Sequence, residues 1–344
     1  MGKNSKTLLP DYYKILEVDP RASQEVIHAA FHALAKIHHP RLAGEAGSER
    51  DRQIIEAHDV LNDVIARAEY DKKRNNIEGV VIGEFRVLDF IAEGAIGETY
   101  KGEHVLTGMP VCIKHCSRIS PAAEEIMIEE AKSVWDIRHY ALPAMRNLLK
   151  LEDGSIALVM SFIPGLTLHK YVEKYGPFRG DDVEHVCWIA ERLLHALSFM
   201  HNRCGVIHGD IKPANIIIQN HMAVLVDFGL AMKDPGSKSE SKGFTAHFAP
   251  PEAVKRMPLI PESDIFSLGK TLLYALNGDL DLVDRNQIPA DTPKPLKDFI
   301  ARLVVRDVFG RPAWHKDDLL KDMEEVREQS FGRRRSNMKP IPLA

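Results

Sequence analysis

Several features are scarce or missing in this sequence, and each absence narrows the classes of protein it can belong to. No apolar run approaches the ~20 residues that a membrane-spanning helix requires. The four cysteines form no CxxC pair of the kind that binds metals, so reduced thiols are expected. Cationic residues are not in excess, because 45 Lys and Arg face 49 Asp and Glu and the net charge is -4. This balance argues against a dominant nucleic-acid or membrane-binding surface.

The amino-terminal segment lacks the features of a targeting signal. No hydrophobic stretch precedes Pro10, so a secretory signal peptide is not expected. Gly2 invites comparison with the myristoylation motif, but Lys6 stands where that motif has serine or threonine. We therefore expect a cytoplasmic protein without membrane insertion.

What is present divides into two regions of different character. With 344 residues, 44% of them hydrophobic, the chain is long enough for about two domains of ~150 residues each. Residues 11–71 have a helical pattern throughout, whereas residues 84–175 alternate short strand-like runs with turns. We predict a helical domain over residues 8–73, a second domain over residues 84–326 and a basic, disordered tail over residues 327–344.

The helical region carries two amphipathic runs separated by His39-Pro40. Proline cannot continue a helix and disfavours the helical conformation of the residue before it. The first run has apolar residues at i, i+3, i+4 and i+7, which form one face: Ile27, Ala30, Phe31 and Leu34. The second run, over residues 54–71, is expected to pack against that face through these residues: Ile55, Val60, Leu61 and Val64. The pattern predicts an all-α helical hairpin.

This hairpin resembles the J domain of DnaJ-type co-chaperones over about sixty residues. The residues that carry the resemblance are Asp11-Tyr12-Tyr13, Leu16 and Val18 at the start, His39-Pro40 in the loop, and Glu56-Ala57, Leu61, Arg67, Tyr70 and Asp71 at the end. The resemblance implies a partner for this domain, either a chaperone or another protein.

Two departures from the J-domain pattern weaken the chaperone interpretation. Arg41 replaces the aspartate of the His-Pro-Asp loop signature. The helix face that is basic in the family is nearly neutral around Lys36; its other residues are His28, Ala29, His32, Ala33 and Ile37. A neutral face weakens steering toward an acidic chaperone surface, so we favour a docking or regulatory module. His28 and His32 are one turn apart and could chelate a metal, but an exposed polar stripe is the favoured interpretation.

The second region contains a series of motifs in a fixed order. They are IAEGAIGETYKG, PVCIKHC, IMIEEAKSVW, VIHGDIKPANI, VDFGLA and APPEAV. Their order and spacing resemble those of eukaryotic-like serine/threonine protein kinases over residues 84–325. The resemblance implies a multidomain protein in which the J-like helices precede an α+β bilobal kinase fold, with a β-rich first lobe and an α-rich second lobe.

The resemblance implies which residues hold the nucleotide phosphates. Gly94 and Gly97 belong to the glycine-rich loop, whose backbone would lie over the phosphates. Lys114 would contact the α- and β-phosphates, and Glu130 would hold the lysine in place. Glu129 is the rival partner, but Glu130 precedes Ala131 as the corresponding glutamate does in the family.

The resemblance likewise implies an adenine pocket, with Thr99 and Cys112 against the adenine, and both the pocket and the glycine-rich loop have unusual residues. Ala92 replaces the first glycine of the loop, Thr99 replaces a valine and Cys112 replaces an alanine. Met160 would be the gatekeeper at the back of the pocket. The backbone of Ser161 to Ile163 would receive the edge of the adenine.

The chemistry is implied at VIHGDIKPANI and VDFGLA. Asp210 would accept the proton of the substrate hydroxyl, and Lys212 would stabilise the transferred phosphoryl group. Asn215 and Asp227 would hold the metal. In the family, a lysine in the position of Lys212 accompanies serine or threonine specificity.

These residues together predict an ATP-dependent serine/threonine protein kinase that uses Mg²⁺, with Mn²⁺ as the alternative ion. Its partners would be protein substrates with serine or threonine hydroxyls, and no nucleic acid. Two other functions are kept open: a nucleotide-binding pseudokinase scaffold, and a DnaJ-type co-chaperone with a secondary kinase domain. A phosphotransfer assay separates the first two, and stimulation of a DnaK-type ATPase tests the third.

Gly209 is the main irregularity in the catalytic motif. Most kinases have an arginine there, which receives a phosphate from the activation loop. The loop still offers Ser237, Ser239 and Ser241, but a phosphate on any of them would meet one cation fewer. We therefore expect a form of control other than activation-loop phosphorylation.

Three downstream residues are expected to support the second lobe rather than react. Arg311 would form an ion pair with Glu252, and Asp264 would cap the backbone of the catalytic loop. Thr245 would line the substrate side of the site.

Overall fold

The computed structural model describes most of the chain, in ten segments. They are residues 12–20, 22–38, 49–75, 79–94, 97–116, 121–151, 153–219, 222–236, 241–332 and 341. The chain divides into two compact units, Met1–Asp89 and Phe90–Ala344. Several residues named above lie outside the described ones: Asp11, the His39-Pro40-Arg41 loop, Ser237 and Ser239. None of the described helices has the length and apolar character that crossing a membrane requires.

The first unit is helical, with a short strand at its end. Its helices are α1 (Tyr12–Ile15), α2 (Gln24–His38), α3 (Glu49–Asn62) and α4 (Val64–Asn75). Strand β1 (Val81–Ile82) pairs antiparallel with the start of β2 (Phe85–Glu93). The second predicted run is thus two helices, because Asp63 interrupts it and its Oδ1 accepts a hydrogen bond from the Ala66 N–H (2.7 Å).

The core of the first unit confirms the predicted face of α2 and corrects that of α3. Ile27 and Leu34 are buried, as expected. On α3 the buried residues are Ile54, Ala57 and Leu61. The prediction for Ile55 and Val64 was wrong, since their exposed fractions are 52% and 67%. Ile54, Ala57 and Leu61 follow the i, i+3, i+7 spacing of one helix face, and Ile55 lies about 100° away from Ile54 around the helix.

A cluster of three imidazoles lies on the exposed side of the first unit. His32 Nε2 is 3.0 Å from His28 Nε2, and His28 Nδ1 is 3.3 Å from His58 Nε2. The sequence indicated the pair but not His58, which α3 contributes. The central ring uses one nitrogen toward each neighbour, so the three donors do not converge on one point. Within the described segments, no group of three metal-ligating side chains can hold an ion.

The second unit begins with a curled antiparallel sheet. Its strands after β2 are β3 (Glu98–His104), β4 (Pro110–Cys116), β5 (Met145–Lys150) and β6 (Ile156–Ser161). They follow the order β2-β3-β4-β6-β5. Helix α5 (Pro121–Val134) packs against this sheet and buries Met127 and Glu130. The sheet and this helix form the β-rich lobe that the kinase resemblance implies.

The rest of the second unit is mainly helical. Its helices are α6 (Leu168–Tyr175), α7 (Val183–Phe199), α8 (Pro251–Val254), α9 (Pro261–Asn277), α10 (Leu280–Asp284), α11 (Lys294–Leu303) and α12 (Leu319–Phe331). Five short strands lie between them: β7 (Leu166–Thr167), β8 (Val206–Ile207), β9 (Ile216–Gln219), β10 (Met222–Leu225) and β11 (Met232–Lys233). Pairing of β8 with β11 and of β9 with β10 brackets the catalytic loop.

The carboxyl-terminal residues differ from the predicted tail. Helix α12 continues to Phe331, five residues beyond the boundary placed at residue 326. Arg327 is 2% exposed and its NH1 donates to Glu191 Oε2 on α7 (2.6 Å). Ile341 is 1% exposed and belongs to the main core. The basic composition predicted disorder over residues 327–344; among the described residues of this segment, Arg327 forms a buried ion pair and Ile341 is buried in the lobe.

Candidate active site

Three charged residues from three elements meet at the back of the first lobe. Lys114 Nζ on β4 lies 2.8 and 2.9 Å from the two carboxylate oxygens of Glu130 on α5. The same ammonium donates to Asp227 Oδ1 at 2.9 Å. Glu129, the rival partner, points elsewhere and binds Lys132 at 2.8 Å. Lys114 therefore joins the first lobe to the motif that contains Asp227.

The electrostatics favour the charged forms of Lys114 and Asp227, whereas burial raises the pKa of Glu130 above its ordinary value. Burial would lower the pKa of Lys114, but Glu130 and Asp227 together raise it above its ordinary value. Burial would likewise raise the pKa of Asp227, but the Lys114 ammonium holds it below its ordinary value. Opposite charges within hydrogen-bond distance outweigh desolvation here. Lys114 is a cation and Asp227 an anion at neutral pH.

The glycine-rich loop closes between β2 and β3. The Gly94 N–H donates to the Gly97 carbonyl at 2.8 Å, which ties the two ends of the loop together. A side chain at Gly97 would collide with the carbonyl oxygen of His115 on β4. Only glycine therefore lets the loop lie this close to the strand that carries Lys114. Ala92 lies in β2 and is exposed.

Sheet register places four predicted nucleotide-binding side chains on one face. Cys112 and Lys114 are two residues apart on β4, so they share a face. Thr99 lies opposite Lys114, and Met160 lies opposite Cys112. Burial raises the pKa of the Cys112 thiol to about 12, so it is a neutral, unreactive lining group. The face is therefore apolar toward Cys112 and Met160 and charged at Lys114.

The connector after β6 has one backbone donor that is engaged and one that is available. The Ser161 N–H donates to the Ala144 carbonyl at 2.8 Å, so this donor cannot serve an adenine. Among the described residues, none accepts a hydrogen bond from the Ile163 N–H. Of the two residues predicted from the sequence, Ile163 thus offers the free donor.

Three polar side chains, two of them from the catalytic loop, surround the Asp210 carboxylate. Asp210 Oδ1 accepts a hydrogen bond from the Thr245 hydroxyl (2.6 Å), and Asp210 Oδ2 lies 2.7 Å from Lys212 Nζ. Lys212 Nζ also donates to Thr245 Oγ1 at 2.9 Å. Asn215 Nδ2 donates to the Asp210 carbonyl and to Oδ2, at 2.9 and 3.1 Å. The loop thus presents a carboxylate whose oxygens accept from a hydroxyl, an ammonium and an amide.

The oxygen atoms that could hold a divalent cation are also present. Asn215 uses its amide nitrogen on Asp210, which leaves its Oδ1 without a donor among the described residues. Asp227 uses Oδ1 on Lys114, and its side chain is 46% exposed. Carboxylate and amide oxygens beside phosphates are the ligands that Mg²⁺ prefers. The donor set therefore fits such an ion.

A buried chain of polar groups supports the catalytic loop from behind. Asp264 on α9 accepts from the backbone N–H groups of His208 (2.7 Å) and Gly209 (2.9 Å), as predicted. His201 Nε2 lies 2.8 Å from Asp264, and Trp314 Nε1 donates to His201 Nδ1 at 2.9 Å. Because Nδ1 accepts a hydrogen bond, Nε2 of the neutral ring carries the proton that it donates to Asp264. No local pattern indicates His201 or Trp314, which are 113 residues apart.

The Arg311 and Glu252 pair forms at the end of the activation segment. Arg311 NH1 and NH2 lie 2.6 and 2.9 Å from the two carboxylate oxygens of Glu252. Ser263 Oγ adds a third hydrogen bond to this carboxylate at 2.7 Å. Earlier in the same segment, Lys242 Nζ donates to the Ala231 carbonyl at 2.6 Å, a contact that the sequence did not indicate.

Gly209 has a backbone conformation that explains its residue type. Its φ is +74°, in the left-handed region that side chains disfavour. A Cβ there would lie 3.0 Å from the Leu230 carbonyl oxygen and 3.3 Å from Leu259 Cδ1. Glycine thus relieves both backbone strain and crowding next to Asp210.

Replacing Gly209 with alanine tests this explanation against a matched control. Gly108 also has a positive φ, +66°, but nothing lies within 4 Å of its added Cβ. We expect Gly108→Ala to lower the free energy of unfolding by about 1 kcal/mol through strain alone. Gly209→Ala should cost about 2 kcal/mol or more, because the crowding adds to the strain. Urea unfolding of the full chain measures both, and equal losses would show that crowding contributes nothing.

Comparison with known proteins agrees with this geometry. A family model described as "Protein kinase domain" matches residues 85–318, and one described as "DnaJ domain" matches residues 11–71. Serine/threonine-protein kinase B of Synechocystis sp. is 30% identical over 218 residues, which cover 57% of this chain and 37% of that protein. Serine/threonine-protein kinase F of the same organism is 37% identical over 169 residues, covering 45% and 33%.

A mouse protein, sperm motility kinase Z, is 28% identical over 248 residues, covering 67% of this chain and 48% of that protein. The chain thus spans between a third and a half of the length of these relatives. The kinase match covers well over half of this chain and includes the Lys114, Asp210 and Asp227 motifs. The chain belongs to the protein kinase family and carries a DnaJ domain ahead of its kinase domain.

Proposed function

We propose that the protein is an ATP-dependent serine/threonine kinase that transfers the γ-phosphoryl group of ATP to hydroxyls of protein substrates. The observation that carries this proposal is the assembled arrangement around Lys114 and Asp210. The Lys114–Glu130 ion pair is formed, and Asp227 lies on the same ammonium. This pair must be in place in an active kinase. A pseudokinase that only binds nucleotide does not require all of these groups to remain in contact.

Asp210, Lys212 and Asn215 each have a distinct part in the proposed reaction. Asp210 accepts the proton of the substrate hydroxyl. The 2.6 Å hydrogen bond from the Thr245 hydroxyl shows that Oδ1 binds an O–H donor in this environment. Lys212 places a positive charge beside that carboxylate, where it would stabilise the negative charge of the transferred phosphoryl group. Asn215 holds Asp210 in orientation through its amide.

The residues present fit ATP and a divalent cation. When bound, ATP supplies the phosphoryl group, and the metal ions offset the negative charge on the phosphate oxygens. Lys114 would hold the phosphates, and Asn215 Oδ1 and the Asp227 carboxylate would hold the ion, with Mg²⁺ preferred to Mn²⁺. The glycine-rich loop can approach the phosphates because Gly97 has no side chain. The Ile163 N–H would receive the adenine edge.

A phosphotransfer assay tests the proposal. The purified full chain is incubated with γ-labelled ATP, Mg²⁺ and generic serine substrates, beside Lys114→Ala and Asp210→Asn. We expect wild type to label itself or the substrates well above both variants. If all three proteins give the same signal while wild type still binds ATP, the pseudokinase scaffold is the correct function.

The DnaJ domain is proposed to dock another protein rather than to activate a chaperone. The α2 residues that would face a partner are exposed and carry one lysine: His28, Ala29, His32, Ala33, Lys36 and Ile37. Strong steering toward an acidic chaperone surface needs more positive charge than this. Stimulation of a DnaK-type ATPase by wild type, with loss of stimulation in His39→Gln, would favour the co-chaperone function instead. The cytoplasmic location remains a prediction.

A further inference from the structure

A cavity of about 330 Å³ lies in the second lobe, and its lining begins at Ala246, the residue after Thr245. Its walls come from the segment after Thr245, from α8 and α9, and from the turns that follow α10 and α11. The residues that line it include Ala246, His247, Lys255, Lys270, Asp284 and Arg306. Three of these are cations and one is an anion. The cavity therefore has a net positive lining, unlike the protein as a whole, whose net charge is -4.

The deepest cation of the cavity is held in an unusual way. Lys270 is 6% exposed, and its Nζ donates to the Val283 carbonyl at 2.7 Å. No carboxylate among the described residues forms an ion pair with it. Asp284 is close enough to influence Lys270 but binds His247 Nδ1 at 2.9 Å. A buried ammonium without an ion-pair partner is costly to keep, so an anion from outside the chain would complete its environment.

The entrance to the cavity carries two further cations. Lys255 and Arg306 are exposed, and neither side chain forms an ion pair with any residue that the structure describes. Val254 also lines the cavity; it is 53% exposed and adds an apolar edge to the entrance. Cations that are free and aimed at one cavity attract anions and reject cations.

The cavity is close to the reacting groups. Thr245 binds Asp210, and the next two residues, Ala246 and His247, line the cavity. His247 has a φ of +69°, a conformation that non-glycine residues rarely adopt, and Asp284 fixes its ring. Such strain is kept mostly at functional positions. Thr245 and the lining residue Ala246 are adjacent and their Cα atoms are ~3.8 Å apart, so the cavity is within reach of an extended substrate a few residues away from a hydroxyl bound at Asp210.

We propose that this cavity binds an acidic side chain of the protein substrate, a carboxylate or a phosphate, within about four residues of the phosphorylated hydroxyl. The proposal rests on the proposed kinase function and names its substrate class. Lys270 would contact the anion at the bottom of the cavity, and Lys255 and Arg306 would attract it at the entrance. Lys255, Lys270 and Arg306 would thus determine specificity without taking part in the transfer.

Peptide binding tests the proposal without requiring turnover. A labelled serine peptide with otherwise neutral residues is titrated with the full wild-type chain in the absence of ATP. One glutamate is moved through the four positions on each side of the serine, and glutamine replaces it in the reference peptides. We expect at least one position where glutamate binds about tenfold more tightly than glutamine. A peptide with phosphoserine at that position shows whether a phosphate or a carboxylate binds better.

Variants at the exposed cations decide whether this cavity is responsible. Lys255→Gln with Arg306→Gln should reduce the glutamate preference to about twofold or less, and Lys255→Glu with Arg306→Glu should reverse it in favour of a lysine peptide. Lys316→Glu, an exposed lysine outside the cavity lining, should leave the preference unchanged. Equal affinity for glutamate and glutamine peptides at every position would overturn the proposal. So would a preference that survives in the Lys255→Gln, Arg306→Gln protein.

A separate measurement tests the proposed kinase function independently of the binding result. Phosphorylation of the neutral peptide by wild type and not by Asp210→Asn reports catalysis alone. A protein that binds acidic peptides but phosphorylates none supports the cavity and contradicts the kinase function. A protein that phosphorylates neutral and acidic peptides at the same rate, with the same affinity, supports the kinase function and contradicts the proposed role of the cavity.

Discussion

Replacing Asp210 with asparagine should lower kcat by about two to four orders of magnitude, while the protein keeps its fold. The carboxylate oxygens of Asp210 accept from Thr245, Lys212 and Asn215. Asparagine has nearly the same shape, but its side chain is neutral and one of its polar atoms is a donor. It cannot accept the hydroxyl proton, and its NH₂ group would face either the Lys212 ammonium or the Thr245 hydroxyl.

The measurement is the initial rate of peptide phosphorylation at saturating ATP and Mg²⁺, with thermal unfolding recorded on the same samples. Asp291→Asn is the matched control, because Asp291 is exposed and binds Arg179 at the surface (3.2 Å). It should leave kcat unchanged. If Asp210→Asn keeps more than about a tenth of the wild-type rate, Asp210 is not the proton acceptor.

Replacing Arg311 with alanine should lower the free energy of unfolding of the second unit by about 3–5 kcal/mol. All five N–H groups of its guanidinium are used: two on Glu252, and one each on the carbonyls of Val305, Glu262 and Arg306. Arg311 is 3% exposed and Glu252 is 8% exposed. The variant therefore leaves a buried carboxylate without its cation and removes one donor from each of three carbonyl groups.

Urea unfolding followed by tryptophan fluorescence measures this loss. Arg302→Ala is the control, since Arg302 is 46% exposed and pairs with Asp317 and Asp322 at the surface. It should cost at most about 1 kcal/mol. Replacing both partners, with Arg311→Met and Glu252→Gln, should recover part of the stability, because no buried charge then remains unpaired. A cost for Arg311→Ala as small as that for Arg302→Ala would contradict the assignment.

The loss in free energy of unfolding caused by Arg311→Ala should also depend on pH. Burial alone would raise the pKa of Glu252, but hydrogen bonds from Arg311 and Ser263 hold it below its ordinary value of 4.5. A carboxyl whose pKa is lowered by folding stabilises the protein above its unfolded pKa, and this stabilisation is lost as the pH falls through the folded value. Without Arg311, burial dominates and the pKa rises. The difference between wild type and Arg311→Ala should therefore shrink as the pH is lowered from 7.5 toward 5.

The resemblance to kinases predicted the active-site residues, and those of the catalytic loop are also related to one another locally. Asp210, Lys212 and Asn215 lie within six consecutive residues, so one loop conformation places all three. The choice of Glu130 over Glu129 followed from the resemblance to the family's helix, and the structure directs the two side chains to different partners. In the first unit, the period of α2 predicted its buried face correctly. In the second run, Ile55 lies about 100° from the buried Ile54, and Val64 follows the break at Asp63, so both predictions failed.

The sequence by itself determined the order of the two domains, the kinase fold and the identity of the charged groups, because spacing along the chain encodes turns, helix faces and strand alternation. Only the tertiary structure decided which distant residues meet. It brought Trp314 to His201, buried Ile341 in the core, and enclosed Lys270 in a cationic cavity beside Thr245. These contacts depend on how whole elements pack, and packing selects partners by shape and burial that no short stretch of sequence records.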